Sequence, residues 1–301
     1  MQVLEVSSVA DLFPSVKFLH RITGMSSKLE KLHQETDIML ENIISEHREN
    51  KRLGRSNSQG KQDDLVDVLL NIQDSDNLEL PLTIENIKAV MLDMFLGGTE
   101  TSATLIEWAM SEMVKDSRVM RKAQEEIRQV YYQKENIDET RLDELKYLKL
   151  VVKETLRLHP PGPLLVKREC LEAVEIDGYE VPINTKVNVN AWAIGRNSRY
   201  WIEAEKFFPE RFQNNSIDFK GNDFEFIPFG AGRRMCPGIA YGMAVVELVI
   251  ANLLYHFDWE QPNGIEPHHL DMSESFGITA RRKNELHLIP IPYNPFPSQV
   301  S

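Results

Sequence analysis

Cysteine is scarce in this chain: two residues, Cys170 and Cys236, in 301. They form no Cys-x-x-Cys pair, so a disulfide framework or a thiol-rich zinc cluster lacks the residues it needs. Two lone thiols suit a reducing compartment. Basic charge is also short. Lys and Arg number 34 against 46 Asp and Glu, a formal net charge of −12. Such a chain repels a phosphate backbone, which excludes nucleic acid as an expected partner. The short basic run at Lys51 and Arg52 reads as a solvated helix end. Long apolar runs are missing too. Asp93 interrupts "AVMLDMFLGG" and Glu247 interrupts "MAVVELVIANLLYHF". No segment is therefore expected to span a membrane, and the first thirty residues hold no signal-peptide pattern.

What is present reads as a globular protein, 42% hydrophobic and 27% charged, mainly α-helical with a small β portion late in the chain. Leu29, Leu32, Thr36, Met39 and Ile43 recur three and four apart, the period of an amphipathic helix. The polar "GRSNSQGKQ" reads as a flexible loop, and "DDLVDVLLNIQ" as a short helix. Thr83 is the expected N-cap of a long, mostly buried helix carrying Ile87, Met91, Met94, Gly98, Thr101 and Leu105 on one face. Helices follow in "SRVMRKAQEEIRQVYY" and "DELKYLKLVVKETLRL", the latter stopped by "HPPGP". "AVEIDGYEVPINTKVNVNAWAI" alternates around a Gly turn and predicts short strands. A long irregular stretch runs from about Gly195 to Gly232, a length uncommon unless functional or braced. After Cys236, Ile239, Met243, Val246, Ile250 and Leu253 mark another core helix, and "HLIPIPY" a terminal strand.

The densest chemistry lies in "PFGAGRRMCPG", residues 228–238. A free cysteine is ordinarily a small buried hydrophobe. Here Gly230, Gly232 and Gly238 surround it, glycine being the residue for unusual backbone angles and close approach. Pro237 fits the first position of the following helix, whose dipole would favour a thiolate. No histidine is marked as a protease partner. His268 and His269 are adjacent, a poor zinc chelate. Axial ligation of haem iron remains as a use for one thiolate, and Arg234 suits a haem propionate. Thiolate ligands are tuned by backbone N–H donors, and Pro237 has no N–H, so those donors are expected from Gly238 and later residues of the helix start.

Phe229-x-x-Gly232-x-Arg234-x-Cys236-x-Gly238 resembles the haem-binding loop of the cytochrome P450 superfamily, in the spelling of its plant microsomal members. Three more constellations agree. In "GGTETS", Glu100 and Thr101 match the family's acid–Thr oxygen-activation pair. Gly97 stands where many relatives have Ala, and Thr101 could bond back to the carbonyl of Gly97 and bend the helix at Gly98. In "KETLR", Glu154 and Arg157 lie three apart. The resemblance joins them to Arg211 of "PERF" as a structural triad bracing the irregular stretch. In "PLLVKREC", Arg168 is a second propionate candidate, while Lys167 departs from a common Pro. Leu164, Leu165, Val166, Phe95, Leu96 and Phe276 are candidate substrate-lining residues, although core packing would look the same in sequence. Cys170 has no such context.

The resemblance implies a P450 fold in its C-terminal part: oxygen-binding helix, Glu-x-x-Arg helix, meander, Cys loop and following helix. Residues 1–301 would form a single catalytic domain lacking the family's membrane anchor and N-terminal half. It implies haem b, held by Cys236 with Arg234, Arg168, Phe229, Gly230, Gly232, Gly238 and Gly98 about it, and catalysis by Thr101 and Glu100. It further implies a monooxygenase acting on a hydrophobic small molecule, a plant specialised metabolite such as a terpenoid. NADPH electrons would arrive through NADPH-cytochrome P450 reductase, met by a basic face near Arg233 and Arg234. The full-length protein would sit on the cytosolic face of the endoplasmic reticulum, associated through the anchor. Two rival expectations are a haem-thiolate isomerase or dehydratase, and a truncated non-enzymatic chain that cannot hold haem.

Overall fold

A computed structural model describes residues 25–54, 63–75, 80–264, 266–275 and 277–294. The readings placed on the first 24 residues, on loop 55–62 and on Phe276 lie outside these residues. The described helices are α1 (Met25–Arg52), α2 (Leu65–Asp74), α3 (Ile84–Lys115), α4 (Ser117–Val130), α5 (Lys146–Leu158), α6 (Ala191–Gly195) and α7 (Ile239–His256). The strands are β1 (Arg168–Glu169), β2 (Val174–Ile176), β3 (Tyr179–Val181), β4 (Lys186–Val187), β5 (Phe257–Glu260) and β6 (Ile289–Pro292). Two compact units divide the chain, Met1–Gly97 and Gly98–Ser301, with the division inside α3.

In the first unit Leu40 and Ile44 of α1, Leu70 of α2, and Ile87 and Met91 of α3 bury one small cluster. The buried line of α1 is thus one position off the expected stripe. Met39 is half exposed and Leu29 nearly so, because Leu40 and Ile44 stand one turn apart on the face that packs. Asp64 caps α2 by accepting from the amides of Val66 and Asp67, and Asp67 reaches back to close a capping box. Thr83 starts α3 as expected, its hydroxyl accepting from the Asn86 amide at 3.2 Å while Asn86 accepts from the Thr83 amide at 3.1 Å.

The second unit holds the main core. Leu105, Ala109 and Met113 of α3 meet Val119, Ala123 and Ile127 of α4, Leu148 and Val152 of α5, and Val246, Ile250 and Leu254 of α7. Each set repeats at the spacing of one helix turn, so four helices turn apolar stripes inward. The Asp116 carboxylate caps α4. Within this unit, the turns of α3 from Ser102 onward are enclosed. Met94 and Thr101 are exposed, which corrects the expectation of a mostly buried helix. Between the Ile87–Met91 cluster and Ser102 the helix has no buried position, and burial resumes at Ser102. The helix runs unbroken through Gly97 and Gly98. By length and composition α7 could cross a membrane despite Glu247. Within this fold its 246–250–254 line is buried in the core.

Three two-stranded antiparallel pairs complete the unit: β1 with β4, β2 with β3, and β5 with β6. Asp177 and Gly178 both take positive φ, 50° and 81°, a turn that matches the strand twist between β2 and β3. "AWAI" is helix rather than strand. Asn190 caps α6 by accepting from the Ala193 amide at 2.9 Å, and this local cap overrides the alternation read from the sequence.

Candidate functional site

The irregular stretch before Cys236 is held from two sides. On one side, Trp201, Phe212, Phe226, Phe219 and Phe229 contact in sequence, ring centroids 5.1–6.2 Å apart, ending with Phe219 edge-on to Phe229 at 5.3 Å. On the other, α5 supplies Glu154 and Arg157, both without solvent access to their side chains. Arg157 donates to both carboxylate oxygens of Glu154, at 2.8 and 2.9 Å. Arg211 donates to Glu154 Oε1 at 2.8 Å, and so does the Phe208 amide. The remaining guanidinium N–H groups do not go to waste. Arg157 reaches the carbonyls of Gly195, Ala204 and Lys206, and Arg211 those of Ile202, Glu203 and Lys206. Irregular backbone leaves carbonyls without sheet or helix partners. Two arginines with five donors each satisfy six of those contacts. The structure therefore brings Glu154, Arg157 and Arg211 into one cluster.

Phe229 connects this core to the cysteine. Its carbonyl accepts from the Cys236 amide at 3.0 Å, closing the loop. Gly230 and Gly232 take φ of +73° and +72° inside it, a region that a side chain strains. The Cys236 thiol is exposed. Pro237 does not open the helix: Gly238 is the N-cap and Ile239 the first helical residue. Pro237 and Gly238 form a turn instead. The amides of α7 consequently begin one residue later than expected, and among the described residues no N–H donates to the sulfur. A Cβ on Gly238 would lie 3.9 Å from Cys236 Sγ.

The first turn of α7 sets the cysteine loop against α3. A Cβ on Gly98 would lie 3.6 Å from Tyr241 Cε1, and one on Gly242 would lie 3.9 Å from Ser102 Oγ. Glu100 and Thr101 thus sit between two α3 positions that touch the helix leaving Cys236. Thr101 is exposed and Glu100 partly so. Glu100 is also engaged: Arg281 Nε donates to its Oε1 at 2.6 Å. No sequence signal marks that partner, which lies 181 residues away.

Arg168 on β1 donates to the backbone carbonyl of Arg234 at 3.2 Å, so the two expected propionate ligands share one locale. Arg233 and Arg234 are exposed. Leu165 takes φ +50°, unusual for a bulky residue, and a Cβ on Gly230 would lie 3.8 Å from its Cδ1. Leu164 and Val166 are 46% and 78% exposed, so neither is core in the described residues. Phe95 and Leu96 belong to the first unit, with Phe95 exposed. A cleft of about 410 Å³ lined by Ile106, Met110, Leu253, Trp259 and Leu286 lies further along α3 and contains none of the expected site residues.

These residues fit a haem. The donor set is one exposed thiol, with arginines for carboxylates, and a loop whose glycines keep side chains off its rim. A cytochrome P450 family model matches residues 1–288. The chain belongs to the cytochrome P450 family. Among its relatives, a desmethyl-deoxy-podophyllotoxin synthase from Sinopodophyllum hexandrum is 57% identical over 94% of this chain and 56% of its own length. A premnaspirodiene oxygenase from Hyoscyamus muticus is 53% identical over 95% and 57%. A tabersonine 16-hydroxylase 1 from Catharanthus roseus is 52% identical over 95% and 56%. The chain spans a little over half the length of these P450 relatives. The P450 family implies a haem iron, a redox partner and hydrophobic substrates.

Proposed function

We propose that this P450 chain is the haem-binding portion of a monooxygenase that inserts one oxygen atom from dioxygen into a hydrophobic plant metabolite. The observation that carries the reading is the exposed Cys236 thiol, tied to Phe229 and leading into a helix that abuts α3 on both sides of Glu100 and Thr101. Cys236 would ligate the iron, and Arg234 with Arg168 would take the propionates. Bound haem supplies oxygen activation and C–H oxygenation. The protein's own work is positional and protonic. Thr101 and Glu100 hold and pass protons on the face of α3, and the Glu154–Arg157–Arg211 cluster keeps the cysteine loop in place. Leu164, Leu165 and Val166 would offer apolar surface to substrate. The relatives' names, a premnaspirodiene oxygenase and a 5-epiaristolochene 1,3-dihydroxylase among them, favour a terpenoid. Electrons would come from NADPH through NADPH-cytochrome P450 reductase docking on the basic surface at Arg233 and Arg234, at the endoplasmic reticulum.

The test is a carbon monoxide difference spectrum of the reduced, haem-loaded protein. A thiolate-type Soret band that disappears in Cys236→Ala is the expected result. Its absence in the parent protein, or its survival in the variant, refutes the reading.

A further inference from the structure

Arg281 belongs to no motif in the sequence, yet its guanidinium is directed at Glu100. Its Nε donates to Glu100 Oε1 at 2.6 Å, and Nη2 lies 2.5 Å from the same oxygen. Both nitrogens therefore converge on Oε1. The Glu100 side chain is 17% exposed and that of Arg281 37%, so solvent reaches the pair mainly from the arginine side.

The backbone that carries Arg281 is pinned to α3 and to the end of α5. The Ala280 amide donates to the Pro161 carbonyl at 2.9 Å. Trp108 Nε1 donates to the Ala280 carbonyl at 2.8 Å. The Ser275 amide donates to the Arg281 carbonyl at 2.8 Å. The next residue, Arg282, is 7% exposed and acts as an anchor. It donates to Ser111 Oγ at 3.0 Å and to the Asp271 carbonyl at 2.6 Å, and its guanidinium lies 5.4 Å from the Trp108 ring centroid. Glu100, Trp108 and Ser111 lie on one face of α3 by helical spacing. One arginine thus fixes the segment, and its neighbour is aimed at Glu100 one residue before Thr101.

We propose that Arg281 is a positioning residue for Glu100. It clamps Oε1, holds the acid beside Thr101, and leaves Oε2 as the oxygen on which a proton is carried. The idea rests on the haem-thiolate reading above. A purely structural arginine would support the loop whatever residue stood at 100. A positioning residue acts through Glu100 and loses its effect when the carboxylate is gone.

The experiment is a double-mutant cycle in the haem-loaded, full-length protein supplied with its reductase, using Arg281→Met, Glu100→Gln and both together. One readout is the ratio of hydrogen peroxide to oxygenated product. The other needs no turnover: the C–O infrared band of the reduced, CO-bound protein. Arg281→Met should raise the peroxide ratio about fivefold, the size expected of coupled neighbours, and should broaden the C–O band. Arg281→Lys should recover part of both. In the Glu100→Gln background neither replacement should add anything. Equal effects of Arg281→Met in both backgrounds overturn the proposal. If Arg281→Met does not fold, Arg281→Lys carries the same comparison, and an undiminished effect in Glu100→Gln overturns it. Loss of the thiolate-type Soret band in the parent protein overturns the haem reading, whereas a normal band with an additive cycle overturns this proposal alone.

Discussion

Glu154 shows how much one residue can be asked to do. A fully buried carboxylate is costly unless paired and hydrogen-bonded. Here it faces two guanidinium groups and the Phe208 amide. Removing the charge leaves the buried Arg157 with carbonyl partners and without its counter-charge. Glu154→Gln should lower unfolding free energy by about 3–5 kcal/mol, measured by urea denaturation. A loss within experimental error would mean that the carbonyl contacts of Arg157 suffice alone. The pair itself was readable from its three-residue spacing. Arg211 was readable only through family likeness, because a pair 57 residues apart in sequence leaves no periodic trace.

At the scale of elements, α5 and α6 meet across Gly195. A Cβ there would overlap the backbone oxygen of Arg157, with Arg157 Cγ at 3.5 Å. Neither atom can move freely, since Arg157 is held by Glu154 and three carbonyls. Gly195→Ala should therefore destabilise by about 1–3 kcal/mol, seen as a lowered midpoint in thermal denaturation. An unchanged midpoint would show that α6 shifts without cost. Helix positions were legible in the sequence because apolar residues recur at the helical period. Which stripe on α1 is buried was not. Met39 and Leu40 are both apolar and adjacent, so only the neighbouring helices select between them. The strand assignment of "AWAI" failed for a related reason: the Asn190 cap decides the local backbone, and alternation does not see it.

The whole molecule adds a pH dependence. Glu210, in the turn Pro209–Phe212, gathers α4 and α5: Arg118 at 2.7 Å, Lys122 at 3.0 Å and the Tyr147 hydroxyl at 3.1 Å. Burial pushes its carboxyl up, but the hydrogen bonds from Arg118, Lys122 and Tyr147 outweigh this and bring it down to about 2. Burial likewise pushes the Tyr147 phenol up, so it stays a donor. With a folded value below the ordinary 4.5, the carboxylate's contribution is complete above about pH 4.5. It is lost as pH falls towards 2. Glu210→Gln should be less stable than the parent at pH 7, and the two should converge on acidification through that window. Melting midpoints across a pH series check this, and a difference that does not shrink would remove Glu210 as the cause.

The sequence by itself determined the helical periods, the cap at Thr83, and the cysteine loop with its glycines, because these are local patterns written in neighbouring residues. It also determined family membership, since the loop and the acid–Thr pair are fixed spacings. Tertiary structure alone decided that Glu100 is held by Arg281, that α7 abuts α3 at Gly98 and Gly242, and that Arg157 and Arg211 spend their spare donors on the carbonyls of an irregular chain. Those contacts join residues far apart along the chain. Their geometry follows from packing, and packing has no period to read.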